Sequence, residues 1–197
     1  MNLPKDYPQE LMTIIIVMMA VVFITFAAVY FFYLLSVQNL LKAVRPVNRK
    51  MQPGQVWLLL ISCVSFVFVF FKMFYVELMD KLGIVATILP LLISVFVLVW
   101  QFYMVNKVAD SIEAEYLSRN LPVPARPTYQ TGLFYCICNT VGLVGNVPFL
   151  SFFALLAGIA GFVAWILYWV KIAEWKNHIK VLPPANDGES ALFKDLY

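Results

Sequence analysis

Charged side chains are scarce in this sequence of 197 residues, and their scarcity excludes most soluble folds. They make up 13% of the chain, against about a quarter in an average soluble domain, whereas hydrophobic residues make up 62%. Such a composition predicts an integral membrane protein in contact with the lipid bilayer. The net charge of +3 is too small to indicate nucleic-acid binding, so nucleic acid is not expected as a partner.

The residues that usually build metal and catalytic sites are also few. The one histidine, His178, lies in a basic segment, where we expect it to be solvated. Cys136 and Cys138 are two residues apart and would point about 200° away from each other on a helix, so we reject a metal pair. No glycine-rich phosphate loop, His-Glu zinc motif or nucleophile elbow is present. We therefore expect no metal, cofactor or catalytic residue, and no enzyme.

Long apolar stretches dominate what remains of the chain. The first has 27 residues, which is longer than the apolar region of a signal peptide, so it predicts a transmembrane helix. Five spans are expected in all, and together they predict an all-α integral membrane protein with a five-helix bundle. The expected spans are residues 11–37, 56–79, 84–105, 128–147 and 149–175. One transmembrane domain would cover residues 1–180, and residues 181–197 have the composition of a flexible polar tail.

The third span continues into a charged segment without any helix breaker, from Trp100 to Arg119. At about 100° per residue its apolar side chains share one face and most polar ones share another, so we predict an amphipathic extension of the third helix. The apolar face comprises Val105, Val108, Ala109, Ile112 and Tyr116. The polar face comprises Lys107, Asp110, Ser111, Glu113 and Ala114. Glu115 is expected to lie in water and to pair with Arg119 one turn later. Three prolines between residues 121 and 127 predict the end of this helix.

The distribution of basic residues predicts the orientation. The loop after the first span contains four basic residues and no acidic residue: Lys42, Arg45, Arg49 and Lys50. If all five stretches cross, eleven basic residues lie on that side and only Lys5 and Lys81 lie opposite. The positive-inside rule then places the N-terminus outside and the C-terminus in the cytoplasm. A re-entrant fourth stretch would expose the basic C-terminal region outside, so we favour a full crossing.

Three residues are candidates for an intramembrane functional site: Lys72, Gln101 and Asn139. An ionisable side chain inside a span indicates function by default. Lys72, however, lies about two turns from the outer end of its span, so its side chain can extend to the interface. Asn139 could line a polar path, although such a side chain more often forms a hydrogen bond across a helix pair.

Small residues recur four positions apart in the fifth span, a spacing that lets two helices approach closely. They are Ala154, Ala157, Gly158, Ala160, Gly161 and Ala164. Gly132, Cys136 and Thr140 form a matching edge on the fourth span. The short connection between the two spans favours packing within the chain over a homodimer interface. Oligomeric state stays open.

The segment MQPGQVWLLL, followed after an apolar span by QFYMVNKVADSIEAEY, resembles small bacterial polytopic membrane proteins of unknown function, the DUF4328-like group. The resemblance covers residues 49–116 and the region from Tyr168 to Trp175. In that group one span leads into a polar or basic helix, whereas here the turn Asp80–Gly83 divides the region into two spans. The resemblance implies a bacterial inner-membrane setting but no active site.

Three functions are compatible with this pattern. The first is a bacterial inner-membrane protein that acts by association with membrane or cytoplasmic proteins through its basic loop, helix extension and tail. The second is a subunit of a small transporter or channel, with Lys72, Gln101 and Asn139 facing a shared cavity. A membrane-embedded enzyme is third. Transporters usually contain Asp, Glu or His inside their spans, and none lies deep in a span here, so association is favoured.

Overall fold

A computed structural model describes residues 9–63, 85–123, 125–143 and 151–183, and this part of the chain is helical. Its five helices are α1 (Gln9–Ala43), α2 (Pro53–Cys63), α3 (Val85–Leu117), α4 (Tyr129–Leu143) and α5 (Ser151–Lys180). The first eight residues of α2 form a 3₁₀ helix, and a short 3₁₀ turn, Pro46–Asn48, precedes it. The expectation of an all-α protein is confirmed.

Three of these helices are long and apolar enough to cross a bilayer: Thr13–Ala43 within α1, Ile88–Leu117 within α3 and Ser151–Lys180 within α5. At 1.5 Å per residue each measures about 45 Å, against a hydrocarbon core of about 30 Å. They are the helices expected of a multi-pass membrane protein. The second predicted span falls mostly outside the described residues. Helix α4, in the fourth predicted span, measures about 22 Å over its 15 residues.

Aromatic side chains join α1 to α5. The Tyr33 ring meets the Trp165 ring edge-on, with centroids 5.4 Å apart, and lies 6.1 Å from the Trp169 ring. Trp169 Nε1 also donates a hydrogen bond to Ser36 Oγ at 2.9 Å. Because Tyr33 is fully buried, this contact fixes the position of α1 beside α5.

Helix α4 packs most extensively on α5 and also contacts α3. Gly132 makes that arrangement possible. A Cβ atom at this position would lie 2.6 Å from Val105 Cγ1 on α3 and 2.8 Å from Tyr168 Cε2 on α5. The hydrogen of glycine is therefore required where the three helices meet.

The helix surfaces away from these contacts are apolar and exposed. On the first half of α1, for example, Val17, Val22 and Ile24 are more than half exposed. Such a surface is suited to lipid chains, because lipid removes the cost of exposing apolar side chains to water.

Helix α3 ends in a Schellman motif. The Leu121 N–H donates to the carbonyl oxygen of Tyr116 at 3.1 Å, and the Asn120 N–H donates to that of Leu117 at 3.0 Å. Asn120 adopts φ = 54°, a left-handed conformation that asparagine tolerates better than most residues. The predicted end of the helix before the prolines is confirmed, and the motif turns the chain toward α4.

Candidate functional site

Glu115, near the end of α3, is fully buried. Its carboxylate accepts hydrogen bonds from the Arg45 backbone N–H and Nε, both at 3.1 Å, and from Asn48 Nδ2 at 2.7 Å. Arg119 Nε and a terminal nitrogen of the same guanidinium donate at 3.0 and 2.5 Å. The Ser118 hydroxyl completes the network by accepting from Arg45 and Asn48. One carboxylate thus holds the loop after α1 against the end of α3.

This network determines the protonation of Glu115, which lies beyond the apolar part of α3. Burial alone would raise its pKa, but hydrogen bonds to the carboxylate, chiefly from Asn48 and Arg119, lower the pKa below its ordinary value. The group is therefore ionised at neutral pH. The expected pairing with Arg119 is confirmed. The expectation that Glu115 lies in water is wrong, because the loop after α1 covers it.

The rest of this loop is also held by hydrogen bonds. The Lys50 N–H donates to Ser111 Oγ on α3 at 2.9 Å. Arg49 Nε donates a hydrogen bond to the carbonyl oxygen of Val44 at 2.8 Å. A terminal nitrogen of the same guanidinium donates to the carbonyl oxygen of Lys42 at 3.0 Å. Ser111 is fully buried, so its predicted place on the polar face is wrong. The five residues of the predicted apolar face are all buried.

A second cluster closes the connection between α3 and α4. Arg126 Nε lies 3.3 Å from Asp110 Oδ1, and the guanidinium also donates to Asn106 Oδ1 at 2.5 Å. Its carbon lies 3.9 Å from the centroid of the Tyr129 ring, which is a cation–π distance. The Arg126 backbone N–H donates to Glu113 at 3.2 Å. The acidic residues of α3 therefore bind basic residues of the same chain.

The same end of the molecule collects the termini of the other helices. Tyr116 on α3 packs edge-on against Trp175 on α5 at 5.3 Å, and Lys171 Nζ donates to Thr131 Oγ1 at the start of α4. Trp100 Nε1 donates to the carbonyl oxygen of Gln55 at the start of α2. We call this region the charged end. It contains every lysine and arginine of the described residues: Lys42, Arg45, Arg49, Lys50, Lys107, Arg119, Arg126, Lys171, Lys176 and Lys180.

The loop after α1 borders an open groove of about 450 Å³ at the charged end. Arg49, Lys50 and Gln52 line it from the segment between α1 and α2, and Tyr103 lines it from α3. Lys107 Nζ lies 5.8 Å from the centroid of the Tyr103 ring. The groove combines positive charge with an aromatic surface and has no acidic residue among its described lining residues.

Two of the three predicted intramembrane residues lie side by side. Asn139 Nδ2 donates to Gln101 Oε1 at 3.2 Å, and Gln101 Nε2 donates to the Tyr135 hydroxyl at 3.1 Å. All three line a cavity of about 330 Å³, whose described wall otherwise consists largely of aromatic rings such as Phe26 and Trp165. Lys72 lies outside the described residues. No charged residue occurs in its described wall.

The predicted small-residue packing divides into two parts. A Cβ atom at Gly161 would lie 3.0 Å from Cys138 Cβ on α4, so this glycine lies in the contact between α4 and α5. Ala164 is buried. Gly158 has no neighbour within 4 Å of an added Cβ and lines the cavity instead. The packing of Gly158 against the fourth span stays a prediction, because residues 144–147 of that span lie outside the described residues.

The joining role of Glu115 was not predicted from the sequence, although a signal was present. Glu115 lies seven residues after Val108, so an ideal helix places it about 20° from that buried residue. A carboxylate on an apolar face needs cationic or hydrogen-bonding partners. The acid-free basic loop after α1 could have been recognised as their source.

In the comparisons with known proteins, no family model, no curated protein and no solved structure matches this chain. The DUF4328-like resemblance stays a prediction from the sequence.

Proposed function

We propose that this protein is a bacterial inner-membrane protein that acts by association, with its charged end in the cytoplasm as the docking surface. The preferred partner is a protein segment that presents acidic side chains together with an apolar or aromatic residue. Five crossings, with the N-terminus outside, are part of the proposal. The gathering of all the described basic residues at one end supports this orientation.

The observation that carries the proposal is the groove beside the loop after α1. Its basic residues are attached to a fixed backbone, because Glu115 and Ser111 hold the loop on α3. A preorganised surface loses little conformational entropy on binding. Lys50 and Lys107 can attract carboxylates, and the Tyr103 ring offers an apolar contact.

The proposal is tested by photo-crosslinking in native membranes. A photoreactive residue at Gln52, in the groove, should give one crosslinked species of defined mass. The same residue at the exposed position Asn177 is the matched control and should not give that species. Charge reversal by Lys50→Glu with Lys107→Glu should abolish the species. Its persistence after charge reversal, or equal capture from both positions, would refute docking in the groove.

Transport is the second candidate, and the hydrogen bond between Asn139 and Gln101 on the cavity wall favours it. Association predicts that Lys72→Met leaves ion flux into liposomes unchanged, because a lysine that only extends to the interface has no transport role. A flux that is present in the parent protein and absent in Lys72→Met would favour the transport function instead.

A further inference from the structure

A second groove at the charged end lies between the last turns of α1 and α5. Asn39 and Lys42 line it from α1, and Lys176 and Lys180 line it from α5, around a volume of about 410 Å³. Among the described residues none accepts a hydrogen bond from the three lysine amines, and none of the lining side chains is acidic. We call it the lysine groove.

An apolar groove of about 530 Å³ lies on the same pair of helices, farther from the charged end. Its wall includes Val29 on α1 and Phe162, Ile166 and Trp169 on α5. Residues seven apart share a helix face, so Phe162 and Trp169 lie in line with Lys176. Lys180 follows Ile166 by fourteen residues, which is twice that spacing, so it lies on the same side of α5. The two grooves are therefore aligned along one face formed by α1 and α5.

Between the two grooves the helices α1 and α5 are in direct contact, because Trp169 Nε1 on α5 donates a hydrogen bond to Ser36 Oγ on α1. About 10 Å of helix separates Trp169 from Lys176, which an acyl chain easily spans. The face thus offers a place for apolar chains within the bilayer and cationic amines where the helices leave it. Basic pockets between transmembrane helices bind anionic lipid headgroups in this way.

We propose that the aligned grooves bind an anionic phospholipid. Its phosphate lies among Lys42, Lys176 and Lys180, and one acyl chain lies along Trp169 and Ile166. This lipid site is separate from the groove beside the loop after α1, so either proposal can fail without the other.

Lipid titration followed by native mass spectrometry of the intact protein tests the site, with phosphatidylglycerol as the probe and phosphatidylcholine of the same chain length as its neutral counterpart. The parent protein should retain phosphatidylglycerol in preference to phosphatidylcholine. The double variant Lys176→Gln with Lys180→Gln should weaken that binding about thirty-fold. Each lysine near an anionic surface contributes about 1 kcal/mol to the binding free energy, and the variant removes two of them. Lys50→Gln with Lys107→Gln removes equal charge elsewhere on the charged end and should leave the binding unchanged.

The charge-preserving pair Lys176→Arg with Lys180→Arg should retain the lipid, which separates loss of charge from a folding defect. Equal losses in both glutamine pairs would overturn the proposal, because they would indicate general attraction to a basic surface. Equal retention of phosphatidylcholine would overturn it as well. Inorganic phosphate is the third probe, and displacement of the lipid by millimolar phosphate would assign the lysines to a free anion instead.

Discussion

Replacement of Glu115 by glutamine should destabilise the protein more than any other single loss of charge at the charged end. The variant keeps the size of the side chain but places an amide where Arg45, Asn48 and Arg119 all donate. The amide nitrogen of the glutamine then faces hydrogen-bond donors that the carboxylate oxygen accepted from, and the guanidinium groups of Arg45 and Arg119 lose their negatively charged partner. Removing one partner of a buried ion pair costs about 3 to 5 kcal/mol. The Arg45 side chain is 27% exposed, so we expect the lower end, about 3 kcal/mol.

A loss of about 3 kcal/mol corresponds to about 6 to 12 °C in the unfolding midpoint for a chain of this size. The measurement is thermal unfolding of the detergent-purified protein, with the folded fraction at each temperature read by size-exclusion chromatography. Glu113→Gln is the matched control, because Glu113 is only partly buried and its one described donor is the Arg126 N–H. Similar midpoints for the two variants would refute the joining role of Glu115.

The pH dependence provides a second test of the same network. The folded-state pKa of Glu115 is lowered, so its stabilising contribution is complete above the unfolded-state pKa of about 4.3. The contribution is lost as the pH falls through the folded-state pKa. The difference between the parent and Glu115→Gln should therefore be constant from pH 6 to 8 and should shrink below about pH 4. A difference that does not change down to pH 3 would contradict the assigned ionisation.

Two further predictions concern single backbone positions. Gly161→Leu should lower stability by about 1 to 3 kcal/mol through overpacking against Cys138, whereas Gly158→Leu, which enters open space, should change it little. Equal losses in thermal unfolding would contradict this difference between the two glycines. Asn120→Val should cost about 1 to 2 kcal/mol because of its left-handed conformation, and Asn120→Gly should be neutral or stabilising. A valine variant as stable as the glycine variant would refute the cap assigned to α3.

The sequence was sufficient for features that depend on local pattern. Apolar runs predicted the long helices, a period of 3.6 residues predicted the buried face from Val105 to Tyr116, and the prolines predicted the end of α3. It was insufficient where the outcome depends on distant residues. Glu115 meets Arg45 across 70 positions, and nothing local specifies that contact. The spacing of small residues likewise could not separate Gly161 from Gly158, because both satisfy it.

The central claim is that the ends of α1, α3 and α5 form one charged end that faces the cytoplasm. Thiol labelling in intact cells tests it directly. After replacement of the three native cysteines, Val47→Cys and Lys180→Cys, both at exposed positions, should resist an impermeant maleimide and react only after permeabilisation. Asn2→Cys should react in intact cells. Labelling of only one of the first two positions in intact cells would show that the helix ends lie on different sides of the membrane. Labelling of both would show that the charged end faces outward. Either result would contradict the central claim.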